Sequence, residues 1–256
     1  MTTFDFNDGK GPVPAHQHPN GGGWVADTAK VANMAYVGPD ARVSGNARVS
    51  GNAMVFGAAE VSGAARVSGA ARVSGNAEVY GYAWVSGNAE VSGAARVFGD
   101  AQVSGAARVF GDAQVSDNAR VCDSAAVSGN ARVYGNARVY GNARVFDNAR
   151  VCGNAKVAGN AEVSGDARVS GDARVSGDAR VKDNKYPQMK RSDGYDFIAV
   201  PCSDSKTRVI AGCRYFTFKK AEKHWKETRG GTPLGDETML ILKYLKEYVK
   251  MMKKTS

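Results

Sequence analysis

The chain is poor in the residues that chemistry and membranes require. Its 256 residues include only three histidines and four cysteines. The histidines, His16, His18 and His224, all stand outside the long middle region. A general base must lie within hydrogen-bond reach of the proton it takes, so that region offers no imidazole for the task. Cys122, Cys152, Cys202 and Cys213 have the spacing of neither a zinc site nor a dense disulfide scaffold. They read as free thiols, with a Cys202–Cys213 bridge as the alternative. No apolar run approaches the roughly 20 residues of a membrane span, and the first residues lack the basic and apolar segments of a signal peptide. The expected setting is cytoplasmic, with no membrane partner.

What the chain has in abundance is one short period. From Gly23 to Asn184 a six-residue unit repeats 27 times without insertion or deletion, with Val at its third place from Val25 to Val181. From Ala29 to Ala179 every unit opens with Ala, as in Ala41-Arg42-Val43-Ser44-Gly45-Asn46. Ala and Val stand two apart, so in an extended segment both point to one side, and the residues between and after them point to the other. Gly and the Asn, Asp or Ala after it supply a bend, because Gly and Asn accept positive φ at little cost. Each unit is a strand plus a corner. Stacked units bury their apolar side only against the units above and below, which predicts a rod.

This pattern resembles the hexapeptide-repeat, left-handed parallel β-helix family. The resemblance implies three units per triangular coil, hence about nine coils, a left hand and a trimer with parallel axes. The expected fold class is all-β, with a small C-terminal α+β domain of ββαα order. Residues 1–22 read as a lead-in and N-terminal cap, 23–184 as the β-helix, 185–194 as a linker and 195–256 as a basic terminal domain. There, Asp196 to Pro201 and Thr207 to Thr217 read as strands around a Cys202-Ser203-Asp204-Ser205 turn. Two helices follow, from about Lys219 to Thr228 behind a Thr217 cap and from about Asp236 to Lys253. Leu240, Tyr244, Leu245, Tyr248 and Met252 mark one apolar face of the second.

Many members of the family are acyltransferases that, as the resemblance implies, use a coil histidine and a protruding loop to hold an acyl-carrying cofactor. This rod has neither, and no cofactor is expected. The carbonic-anhydrase branch would need coil histidines as metal ligands and fails likewise. Ice binding fails for lack of threonine ladders, since no Thr occurs between Ala41 and Asn184. His16 and His18 are alternate residues of an extended segment and could reach one metal ion, but two ligands are too few, and a capping role is expected. Together with the Val209-Ile210-Ala211-Gly212-Cys213-Arg214 phrase, the lead-in and coils are similar to bacterial and prophage-borne hexapeptide-repeat proteins without a settled activity.

Two surface patterns suggest binding. Residues 18 apart lie one above another, and one resulting column, Lys30, Arg48, Arg66, Trp84, Gln102, Arg120, Arg138, Lys156 and Arg174, contains no acid. It is a candidate surface for phosphates or an acidic partner, against the alternative of a solvated face. The net charge of +9 is concentrated in residues 185–256, which carry +8, with Lys219, Lys220 and Lys223 opening the first helix. Specific nucleic-acid binding is not expected of them. Outward aromatics form two stripes, Phe56, Phe110 and Phe146 on one face and Tyr80, Phe98 and Tyr134 on another, which suggests self-association. The leading expectation is a non-enzymatic, self-associating rod, a phage or prophage product that binds a host partner or sequesters an anionic nucleotide. The alternative is an acyltransferase using His16 or His18 at a subunit interface.

Overall fold

The computed structural model describes residues 2–182, 187–201, 207–211 and 214–254. Each repeat unit forms a strand and a turn, and no repeat strand pairs with the repeat strand next to it in sequence. It pairs in parallel with the strand one coil away, as Arg66 with Trp84 and Val67 with Val85. Three flat faces result. The first runs from Trp24–Ala26 to Arg168–Val169, the second from Lys30–Val31 to Arg174–Val175, and the third from Tyr36–Val37 to Arg180–Val181. The chain is therefore a parallel β-solenoid of about nine turns. Every unit-opening Ala and every Val from Ala35 to Val181 is buried, so the interior is one continuous stack of small side chains.

The corners explain the rest of the unit. Gly at the turn adopts positive φ, 72° at Gly141 for example. Where Asp replaces it, at Asp117, Asp123 and Asp147, the residue keeps φ of 57°, 60° and 58°. Each of these carboxylates accepts the backbone N–H of the turn glycine one coil on, Gly135, Gly141 and Gly165, at 2.9 to 3.1 Å. The next corner position builds amide ladders. Asn130 donates to Asn148 and Asn148 to Asp166, and parallel ladders run Asn136–Asn154–Asp172 and Asn142–Asn160–Asp178. All three ladders end on an aspartate in the last coil, whose carboxylate is a pure acceptor at the end of a row of donors.

Both open ends of the core are closed. At the start, Val13–Gln17 lies antiparallel on Trp24–Ala26, and Thr3–Phe4 lies antiparallel on Val13–Gln17. Phe4 stacks on Trp24 with ring centres 4.5 Å apart, beside a small core of Phe6, Ala15 and Ala26. At the far end a four-stranded antiparallel sheet, Gln188–Lys190, Asp196–Pro201, Thr207–Ala211 and Arg214–Thr217, crosses the last coil. Ile198, Val200 and Ile210 on one side of this sheet continue the solenoid core. Phe197, Ala199, Val209 and Ala211 on the other side pack against helices α1, Phe218–Arg229, and α2, Pro233–Lys254. The period-2 alternation of the terminal strands thus serves two cores at once. An exposed edge would otherwise recruit other chains.

The terminal region differs from its sequence reading in three places. The segment Thr207 to Thr217 holds two strands, Thr207–Ala211 and Arg214–Thr217, paired antiparallel with Ala211 opposite Arg214. A further strand, Gln188–Lys190, lies in the stretch read as linker. On α2 the buried side chains are Thr238, Ile241, Leu242 and Leu245, whereas Leu240 is 67% and Tyr244 47% exposed. Apolar residues nearly encircle that helix, so periodicity allowed two stripes, and the branched aliphatic one took the sheet. The turn at Cys202-Ser203-Asp204-Ser205, the Cys202–Cys213 pair and residues 183–186 lie outside the described residues. Thr217 caps α1 as expected, its hydroxyl accepting the Lys220 N–H at 3.3 Å. No described helix is long and apolar enough to cross a membrane.

Candidate binding surface

The acid-free column is the second face. Lys30, Arg48 and Arg66 stand in direct cross-strand register, and so do Arg120, Arg138, Lys156 and Arg174, with Trp84 and Gln102 between the two runs. Adjacent strands of a sheet are about 4.8 Å apart, so these cations are stacked on near neighbours of like charge. Among the described residues none of them forms an ion pair.

The contrast with the third face is direct. There Glu90 lies between Arg72 and Arg108, and Glu162 between Arg144 and Arg180, each acid bridging two arginines at 3.4 to 4.0 Å. The first face divides along its length. Its early coils pair Arg42 with Glu60 at 3.3 Å and Arg96 with Glu78 at 3.0 Å, a contact that raises the Arg96 pKa. Its later coils place Arg132, Arg150 and Arg168 in register with no acid in the row.

This second cation row escaped the sequence reading. Its column contains Glu60 and Glu78, and sorting whole columns hid the fact that acids and cations occupy opposite halves of it. The two rows flank one edge of the rod, and along that edge runs the Asn136–Asn154–Asp172 ladder. The flanks of Arg138 and Lys156 are neutral asparagines, Asn136, Asn142, Asn154 and Asn160, whereas Arg120 is flanked by Asp117 and Asp123 and Arg174 by Asp172 and Asp178. Corner carboxylates are thus absent beside Arg132, Arg138 and Lys156, while Arg150 has Asp147 at the corner before it. A shallow cavity of about 200 Å³ opens on the first face between Gln114, Ser116, Arg132, Tyr134 and Arg150. A hydrogen bond with Cys152 and partial burial hold the Tyr134 pKa above its ordinary value, so its hydroxyl stays protonated beside the arginines.

The aromatics lie where the register places them, half-buried on the outside. Tyr80 and Phe98 stack in parallel with centres 5.0 Å apart. Arg108 covers Phe110 and Arg144 covers Phe146, each at 5.3 Å. Phe56 and Tyr134 are likewise half-buried on the third and first faces. Cys122 and Cys152 are free and half-buried, and burial raises the Cys122 pKa.

His16 and His18 are not brought together for chemistry. His16 is at the surface, its Nδ1 2.8 Å from Asp27 Oδ1. His18 is buried, with Nδ1 against the Asn20 backbone and Nε2 without a hydrogen-bond partner. Among the described residues no three histidine, cysteine or carboxylate side chains gather as a metal site. Lys219, Lys220 and Lys223 are exposed at the start of α1, and Lys223 pairs with Glu227 at 3.7 Å.

Six stretches of the rod, residues 41–54, 47–63, 71–87, 113–129, 125–139 and 137–153, match the YdcK Beta solenoid repeat. The rod is similar to that repeat. The matched stretches include the coils of Arg132 and Arg138 and leave out the last coils and both caps. No curated protein matches the chain.

Proposed function

We propose that the protein is a non-catalytic binding rod whose late coils dock an acidic partner surface. The observation that carries this reading is the segregation of charge. Acids are placed between arginines on the third face and on the early first face, yet in the late coils Arg120, Arg138, Lys156 and Arg174 on one row and Arg132 and Arg150 on the next are left as stacked cations. Like charges directly opposed across strands are destabilising, so a solvated surface selected for stability alone would intersperse acids there as the other face does. Rows of guanidinium groups at strand spacing suit an extended acidic surface, where complementarity sets orientation and association rate.

Binding of poly-L-glutamate, followed against ionic strength, tests this. Replacing Arg132, Arg138, Arg150 and Lys156 by Ser should abolish binding and its salt dependence. The same change at Arg72 and Arg108, which share Glu90, should leave both nearly intact. Equal effects of the two variants would defeat the proposal. The outward aromatics support a further part of the reading, that copies associate side by side. Analytical ultracentrifugation should show an oligomer that a Tyr80→Ser, Phe98→Ser variant loses.

The second reading is an acyltransferase with His16 as base. It is favoured by the Asp27 contact, which would orient the imidazole and leave Nε2 facing outward. Acyl transfer that survives His16→Asn would eliminate it.

A further inference from the structure

The helical cap holds a concavity of about 420 Å³ lined by Arg191, Tyr195, Arg214, His224, Thr228 and Arg229 over the edge of Trp225. Among the described residues no carboxylate lines it. Arg191 is only 2% exposed, and Asp193 takes its Nε and Nη2 at 2.9 and 2.6 Å, while its Nη1 donates to Thr238 at 2.9 Å. That charge is matched. Arg214 and Arg229 have no ion pair among the described residues, although the charge of Arg229 is felt by Asp193, which is already bound to Arg191. Tyr195 spends its hydroxyl proton on the Ala211 carbonyl and Thr228 its own on the His224 carbonyl. His224 is wedged against Phe216 and Trp225, both with ring centres 5.2 Å away, and burial, then the charge of Arg214, lowers its pKa, which keeps it neutral at pH 7.

We propose that this concavity binds a small phosphomonoester, with the phosphate dianion held between Arg214 and Arg229. Two unpaired forks match a dianion in charge, and guanidinium geometry matches phosphate oxygens two at a time. The volume lies in the range of small-molecule sites and far exceeds one phosphate, which leaves room for an organic portion against Tyr195 and His224. None of these residues belongs to the rod's cation rows, so the site stands or falls independently of them.

The chain's three histidines supply the experiment. Imidazole NMR signals are followed while inorganic phosphate, adenosine monophosphate or adenosine is added. Phosphate and the monophosphate should shift His224 and raise its pKa, the monophosphate at a concentration at least tenfold lower. Adenosine alone should not, and His16 and His18, in the opposite cap, should stay still. An Arg214→Gln, Arg229→Gln variant should lose the response, whereas Lys219→Gln, Lys220→Gln should keep it. Helical circular dichroism confirms that both variants are folded, as expected for changes of exposed side chains. A silent His224, a response undiminished in the arginine variant, or an equal response to adenosine would overturn the assignment.

Discussion

Arg138 stands directly opposite Lys156 on adjoining coils, above Val139 and Val157, which pair beneath them. The valines make the register compulsory, since slipping the pairing by one residue would turn the core outward. Two cations are thereby held one strand apart. Stability and binding should then move in opposite directions at this pair. Arg138→Ser should stabilise the rod by about 0.2–1 kcal/mol at low salt, the usual size of a cross-strand charge effect. The gain should vanish in 1 M salt, where the screening length is about 3 Å. The same variant should bind an acidic probe more weakly. Urea unfolding at two salt concentrations, beside a binding titration, reads both effects.

The corners give a second prediction. A Cβ added at Gly141 would approach the Gly159 nitrogen at 3.0 Å, at a φ of 72° that side-chain-bearing residues avoid. Gly141→Ala should therefore destabilise the rod by about 1–2 kcal/mol. Gly141→Asp should be milder, because Asp123, one coil earlier, already occupies this geometry and offers its carboxylate to the next coil's N–H. An alanine variant no less stable than the aspartate one, by denaturant midpoint, would show that the carboxylate contact contributes nothing.

The same chemistry explains what the sequence made readable. A strict hexad fixes which side chains enter the core, and the family resemblance adds that residues 18 apart stack, so together they made the three faces, the register and the acid-free column readable from Val25 to Val181. The terminal region has no period to lean on. Whether Leu240 or Leu242 enters the core depends on which stripe of α2 meets a sheet formed by residues far away in sequence. The site in the cap was illegible for the same reason. Arg191, Arg214 and Arg229 come from a turn, a strand and a helix end, and no spacing announces that they meet. The Arg132–Arg150–Arg168 row was legible in principle, and it emerges once a column is read coil by coil.

Leu242 and Leu240 make the point measurable. Leu242 is fully buried between α2 and the terminal sheet, and Leu240 is two thirds exposed. Leu242→Ala should destabilise the cap by about 2–5 kcal/mol. Leu240→Ala should stay within about 0.5 kcal/mol of the parent, as surface changes do. Because the cap seals the last coil, the Leu242 variant should also expose the late coils to hydrogen exchange before the early ones. Uniform exchange along the rod would mean that the terminal sheet protects nothing beneath it.

Acid should loosen the cap at a defined contact. Arg191, by hydrogen bonding, holds the Asp193 carboxyl below its ordinary value of 3.8, with the Tyr195 N–H and the charge of Arg229 acting in the same direction. A carboxyl with a depressed folded pKa contributes stability that is complete above the unfolded value and is lost as pH falls through the folded one. The Asp193 contribution is thus present at neutral pH and should disappear below about pH 4. Asp193→Asn should lower cap stability at pH 7, leaving buried Arg191 short of its counter-charge, and should flatten the decline between pH 4 and pH 2. Cap unfolding followed by Trp225 fluorescence across this range supplies the test. A variant whose stability falls with acid as steeply as the parent's would show that other carboxylates govern the transition.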